Sequence, residues 1–158
     1  MPASNRMPDL SDRPYGLTIE RALALSAKTI FNAWTKDLDL WFAAPGSVLM
    51  QGEVNTTFFF ETEFKLAAHA TVKRHPHYGR FLQVVPDQLL QFTWVTGAPG
   101  TEGAETVVTV ELKEKANETS VRLSHEGFSS PAARDGHEHA WPVVLQHMEQ
   151  KLGAQSSV

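Results

Sequence analysis

The chain predicts an α+β protein in which an antiparallel sheet wraps around one long C-terminal helix. Three observations carry that expectation. Residues 17–25 alternate with period 2 and run directly into a helix-spaced segment, 26–35. Most of the sequence from 48 to 126 reads as short alternating runs broken by Pro, Gly and Asn. Trp141, Val144, Leu145, Met148 and Leu152 then form an apolar stripe at helical spacing.

The elements follow in order. Residues 1–14 hold three prolines and several polar side chains, and predict a flexible arm. The first strand covers about 15–25. Ser26 is a suitable N-cap for a helix over 27–35, because its hydroxyl can accept from amides that have no helical partner. Ile30, Phe31 and Trp34 give that helix its buried face. A second short helix is expected over 37–42, ended by Pro45-Gly46. Strands are expected at 48–50, at 56–64 with the run Phe58-Phe59-Phe60, within 67–73, at 80–85 and at 89–96. His75-Pro76-His77-Tyr78-Gly79 reads as a turn, and a polar loop spans 97–104. The runs 105–114 and 119–126 alternate cleanly and predict a hairpin joined by 115–118. A helix over 132–152 closes the chain, with a flexible tail at 153–158. Pro142 lacks the amide that would bond back to the Glu138 carbonyl, so a kink there, or a helix start near Trp141, is expected.

The strands supply one apolar set: Leu90, Phe92 and Trp94; Val108, Val110 and Leu112; Val121, Leu123 and His125. The opposite phase is Gln91 and Thr93, Thr109 and Glu111, Arg122 and Ser124. One apolar and one wet face suit a sheet covered on one side.

Composition narrows the partners. The 158 residues suit one domain, 15–152, with its own core. A net charge of −4 argues against nucleic acid or an anionic membrane surface. The absence of cysteine removes disulfides, thiolate nucleophiles and Cys-based zinc sites. No signal peptide or spanning segment is legible, and a cytoplasmic location is the expectation.

Phe31-Asn32-Ala33-Trp34-Thr35, Trp41, the segment 79–94 with Phe92-Thr93-Trp94, the Val108 to Leu112 strand, His125-Glu126-Gly127-Phe128 and the helix around Trp141 together resemble the heat-shock-protein-90 ATPase activator family, within the START-related (SRPBCC) superfamily. The resemblance covers about 17–152. It implies a helix-grip fold: a roughly seven-stranded antiparallel sheet, two short helices after the first strand, and an apolar cavity between sheet and long helix.

No phosphate loop, dinucleotide fingerprint, nucleophile elbow or zinc-protease helix is present, so no catalytic residue, metal or cofactor is assigned. His75 and His77, with His69 as a third, and His137-Glu138-His139 have only superficial metal-ligand spacing and read as solvated side chains. Glu61 and Glu63 share a strand face and read as solvated carboxylates. His125 differs, because its phase turns it inward. It is either a hydrogen-bonded core histidine, to backbone or Tyr78, or the polar anchor of a ligand pocket. The expected lining of that pocket is drawn from Phe58, Phe60, Phe92, Trp94, Val110, Leu123, His125, Trp141, Leu145 and Met148. The leading reading is a non-enzymatic binding protein for a small hydrophobic molecule. The others are a surface module that engages a chaperone, as the resemblance implies, and a cavity enzyme of the cyclase type.

Overall fold

The computed structural model describes residues 7–64, 73–97 and 100–156. Six strands form one antiparallel sheet: β1 (Tyr15–Leu23), β2 (Thr57–Phe64), β3 (Lys73–Val85), β4 (Leu89–Thr96), β5 (Thr106–Lys115) and β6 (Glu118–Phe128). Their spatial order is β1-β6-β5-β4-β3-β2. Helix α1 (Ala27–Thr35) and a single 3-10 turn (Leu38–Leu40) follow β1, and the long helix α2 (Pro131–Ser156) ends the chain. This is an α+β layout consistent with a helix grip. Among the described residues no helix is long and apolar enough to cross a membrane.

Local chemistry explains the early elements. Ser26 caps α1, its hydroxyl accepting from the Thr29 amide at 3.1 Å. The Trp41 indole donates to the Ala33 carbonyl at 2.9 Å and ties the turn back onto the helix. Beside the start of that helix, β5 and β6 pair down to Lys115 opposite Glu118, so the hairpin turns on two residues, Ala116-Asn117, and Glu114 accepts from the Ala27 amide at 2.6 Å.

The expected apolar phase is the buried one. Leu90, Phe92, Trp94, Val108, Val110, Leu112, Val121, Leu123 and His125 are all buried. They meet Trp141, Leu145, Met148 and Leu152 of α2 in one core. Thr93, on the opposite phase, is also buried; its hydroxyl accepts from the Arg80 amide at 2.9 Å.

Three expectations are corrected, and a fourth lies outside the described residues. The sheet has six strands rather than seven, because residues 48–50 contribute only the isolated bridge of Leu49 to Phe59. The strand expected within 67–73 lies outside the described residues, apart from Lys73. The segment His75 to Gly79 is not a turn but the first half of β3. Pro76 pairs with Glu61 of β2, while pairing with β4 begins only at His77 opposite Thr96. A residue without an N–H is tolerated where a strand has a neighbour on one side only. Finally, α2 continues unbroken from Pro131 through Pro142, four residues past Leu152. The helix does not restart at Trp141. Glu138 is exposed, which leaves water to take up the bond that Pro142 cannot make.

The arm is anchored where it is described. The Arg13 guanidinium donates to the carbonyls of Gly127 at 2.8 Å and Glu105 at 2.7 Å.

Gly79 sits where β3 crosses β4 and a side chain has no room. A Cβ there would collide with the Thr93 carbonyl and the Phe58 ring. Gly79→Ala should therefore destabilise the fold by about 1–3 kcal/mol or more. Urea melts of the two proteins check this, and equal midpoints would show that the strands cross more loosely.

Candidate functional site

A chain of side-chain hydrogen bonds ties the long helix to the middle of the sheet. The Trp141 indole donates to Nδ1 of His125 at 3.0 Å. Nδ1 is therefore unprotonated, and in a neutral ring the proton sits on Nε2. Nε2 lies 2.7 Å from the Thr106 hydroxyl. That hydroxyl spends its own proton on the Trp94 carbonyl at 2.5 Å, so it receives the one from Nε2. One tautomer satisfies every atom in the relay. His125 has no exposed surface, and burial holds its pKa well below the ordinary value, with the His137 charge adding to the effect. Both nitrogens are occupied, which leaves neither available to orient a ligand. The relay also shows that its partner is not Tyr78.

Two features flank this relay, one nearly filled and one open. The first is an aromatic recess. Phe58 and Phe60 of β2, Phe81 of β3 and Phe92 and Trp94 of β4 line it, with Trp34 of α1, Leu38 and Met50. The rings pack at centroid distances of 5.3–5.9 Å in tilted and edge-on pairs, with Phe58 and Phe60 stacked at 6.2 Å, geometries favourable for aromatic side chains. As packed, the free space is about 10 Å³, near the least that holds one water. The Trp34 indole N–H is buried and has no hydrogen-bond partner, a cost of about 1–3 kcal/mol in a site that offers it no acceptor. Met50, half-buried, closes the recess from the irregular segment between the 3-10 turn and β2.

The second feature is a surface groove at the other side of Trp94. A depression of about 200 Å³ is lined by Thr62, His75, Pro76, His77, Thr96, Gly97, Gly100 and His137. It shares Gly100 and His137 with a second depression of about 430 Å³ that runs along Ala132, Ala133, Gly136 and Ala140 of α2, with Glu102 opposite. His77 connects groove and recess: its ring stacks on Phe60 at 4.8 Å and meets Trp94 edge-on at 5.0 Å. His137 packs against His125 at 4.9 Å and Phe128 at 4.7 Å. Burial pushes the His77 pKa down to about 4, with charge on His75 and His137 acting in the same direction and a hydrogen bond to the His75 carbonyl opposing it. Burial also lowers the His137 pKa.

The ten residues expected to line a pocket are therefore distributed. Phe58, Phe60, Phe92 and Trp94 line the recess. His125 and Trp141 belong to the relay. Val110, Leu123, Leu145 and Met148 are fully buried in the core beside them. Glu61 and Glu63 are surface carboxylates paired with Arg74 at 3.3 and 3.0 Å, contacts worth at most about 1 kcal/mol. His69 lies outside the described residues, and among those described no group of three His, Asp or Glu could hold a metal ion. Sequence reasoning missed Thr106, His77 and His137 as members of a site; Trp34 was one of several aromatics that could line a cavity or fill the core. The signal for His77 was present: His77, Gly79 and Phe81 share one phase of β3, so an inward Phe81 implies an inward His77.

Comparison with known proteins places this geometry. The family model described as "Activator of Hsp90 ATPase homolog 1-like protein" matches residues 24–153. No curated protein matches the chain. Among solved structures, protein MLL2253 from Mesorhizobium loti superposes with a TM-score of 0.69 at 20% identity, covering 91% of this chain and 100% of that one. Protein CV1439 from Chromobacterium violaceum gives 0.69 at 19% identity, covering 87% and 96%. DynU16, a protein of the dynemicin biosynthetic locus, gives 0.68 at 13% identity, covering 87% of this chain and 47% of that one. At these identities the likeness is one of fold.

The three imidazoles with lowered pKa values, His125 buried and His77 and His137 half-buried, fix a pH dependence. Each has a folded pKa below its ordinary value of about 6.5, so the unfolded chain binds protons that the fold refuses. Stability should be fully present above about pH 6.5 and fall as the pH drops below it. The slope is up to about 1.4 kcal/mol per pH unit for each histidine, and for His77 the loss ends near pH 4. Urea midpoints at pH 7.5, 6 and 5 measure this; a flat profile over that range would contradict the neutral relay.

Proposed function

Because the chain belongs to the Activator of Hsp90 ATPase homolog 1-like family, whose model spans residues 24–153, we propose that it is a binding protein for a small hydrophobic molecule, held in the aromatic recess under Met50. The observation that carries this reading is the Trp34 indole, a buried donor without an acceptor at the wall of an otherwise apolar recess. A ligand with an apolar body and one acceptor oxygen meets both conditions, in the manner of most small-molecule sites. None of the recess side chains titrates, which supports binding over catalysis. A fold likeness to a protein from a biosynthetic locus supports a small-molecule role as well.

The recess is closed as packed, so binding requires its wall to move. Met50 is the movable part, with an unbranched thioether that adapts to irregular space. Its segment is fastened to the sheet by the reciprocal Leu49–Phe59 backbone pair, at 2.8 and 2.9 Å, and by the Ala44 amide on the Glu61 carbonyl at 2.7 Å. Further bonds hold it on either side: the Glu61 amide on the Ser47 hydroxyl at 3.1 Å, the Asn55 amide on the Phe81 carbonyl at 2.9 Å and the Phe81 amide on the Thr56 carbonyl at 3.0 Å. Opening therefore falls to the Met50 side chain rather than to the whole segment. The family's description also names a chaperone ATPase, and a partner of that kind would dock on the surface and leave the recess shut.

A screen of aromatic compounds, sterols and fatty acids separates the two. A recess ligand should quench tryptophan fluorescence, since Trp34 and Trp94 line the space. It should also raise stability by about 2.7 kcal/mol at a hundredfold excess over Kd. Trp34→Phe should weaken carbonyl-bearing ligands more than their hydrocarbon analogues. If no compound changes either signal while the chain stimulates the ATPase of a purified Hsp90, the surface reading replaces this one.

A further inference from the structure

Two of the groove histidines have their protons fixed by the backbone. His77 Nδ1 lies 3.0 Å from the His75 carbonyl, and His137 Nδ1 lies 2.9 Å from the Ala133 carbonyl one helical turn earlier. A carbonyl only accepts, so both Nδ1 atoms carry hydrogen. In a neutral imidazole this leaves Nε2 as a bare acceptor. Neither Nε2 has a hydrogen-bond partner among the described residues, and neither is a sealed buried atom. Burial keeps both rings neutral at pH 7. The groove wall is thus equipped with two acceptors and no cation.

That composition selects a ligand class. A carboxylate or phosphate would meet no Lys or Arg among the described lining residues, and would face the Glu102 side of the groove. A hydroxyl donor meets acceptors it can satisfy. Nδ1 held by a carbonyl is also the arrangement of a metal-binding imidazole, but no three ligating side chains gather among the described residues. The groove backs onto the aromatic core through His77, whose ring stacks on Phe60 and meets Trp94 edge-on; both of those rings are buried behind it.

We propose that the groove between the N-terminal half of α2 and the β3–β4 edge binds a phenol-class aromatic molecule, its O–H donated to Nε2 of His137 or His77 and its ring lying in the groove beside Pro76 and His77. The inference rests on the reading of the chain as a small-molecule binder and adds a second site, the groove, with its own chemical class of ligand. It also separates the roles of the histidines. His125 is spent on structure, whereas His77 and His137 face the ligand.

A matched series on one ring tests it by calorimetry at pH 7.5: 2-naphthol, 2-methylnaphthalene and 2-naphthoate. The expected order is naphthol tightest, by about tenfold or 1.4 kcal/mol over the methyl compound, with naphthoate weakest. His137→Phe and His77→Phe together should reduce naphthol to the level of 2-methylnaphthalene and leave the latter unchanged. His137→Gln, which keeps an acceptor, should retain part of the preference. Thermal melts of each variant establish that it is folded, and the ratio of the two affinities is read within each variant. If naphthol binds no better than 2-methylnaphthalene, or keeps its preference without both imidazoles, the groove proposal is overturned and the recess reading stands. If naphthoate binds tightest, the groove is an anion site and the proposal fails. If none of the three binds, the groove proposal is overturned, and the recess reading is decided by its own wider screen.

Discussion

Four residues from four elements share three protons in the relay that runs from Trp141 through His125 and Thr106 to the Trp94 carbonyl. The rest of the molecule is arranged around it. A bare imidazole in an apolar core would cost several kcal/mol in unsatisfied polar atoms. Here each donor has one acceptor and each acceptor one donor, so the network is complete and admits a single tautomer. It also fixes geometry that apolar packing alone leaves adjustable. Leu145 and Met148 can slide against a flat sheet, but Trp141 must keep its N–H on His125. The helix is thereby held at one rotation and one height over β4, β5 and β6.

With the centre locked, the adaptable surface lies on either side of Trp94. Toward β2 and β3 the aromatic rings leave a nearly filled recess closed by Met50. Toward α2 they leave an open groove walled by His77 and His137. The same residue type therefore plays two parts a few ångströms apart. His125 has both nitrogens occupied by protein, whereas His77 and His137 have one nitrogen pinned by a carbonyl and the other open. The difference follows from the backbone around each ring rather than from its intrinsic chemistry.

Much of the fold was legible because it depends on local rules. Ser26 followed by the Ile30–Trp34 spacing gave helix α1 to the residue, and the strand phases from Leu90 to His125 predicted which side chains are buried. The β5–β6 hairpin followed from alternation across a short polar turn. What escaped depends on neighbours. Pro76 reads as a strand breaker until β3 is seen to have a partner on one side only at that point. Pro142 reads as a helix boundary until the helix around it is anchored by Trp141 and Leu145. Thr106 is an ordinary strand threonine in sequence, and its role exists only because β4 and β6 bring Trp94 and His125 to it. The inward turn of His125 was predictable, but its consumption by Trp141 and Thr106 was not, because both partners come from other elements. Trp34 was read as core, correctly, with nothing in the sequence to show that its N–H would lack an acceptor.

Long-range proton–nitrogen NMR of the imidazoles at pH 7 tests this division of labour in one spectrum. The account requires His125 to be neutral with hydrogen on Nε2, and His77 and His137 to be neutral with hydrogen on Nδ1. A His125 ring protonated at Nδ1, or cationic, would break the relay that positions the helix. His77 or His137 with hydrogen on Nε2 would leave the groove without its acceptors.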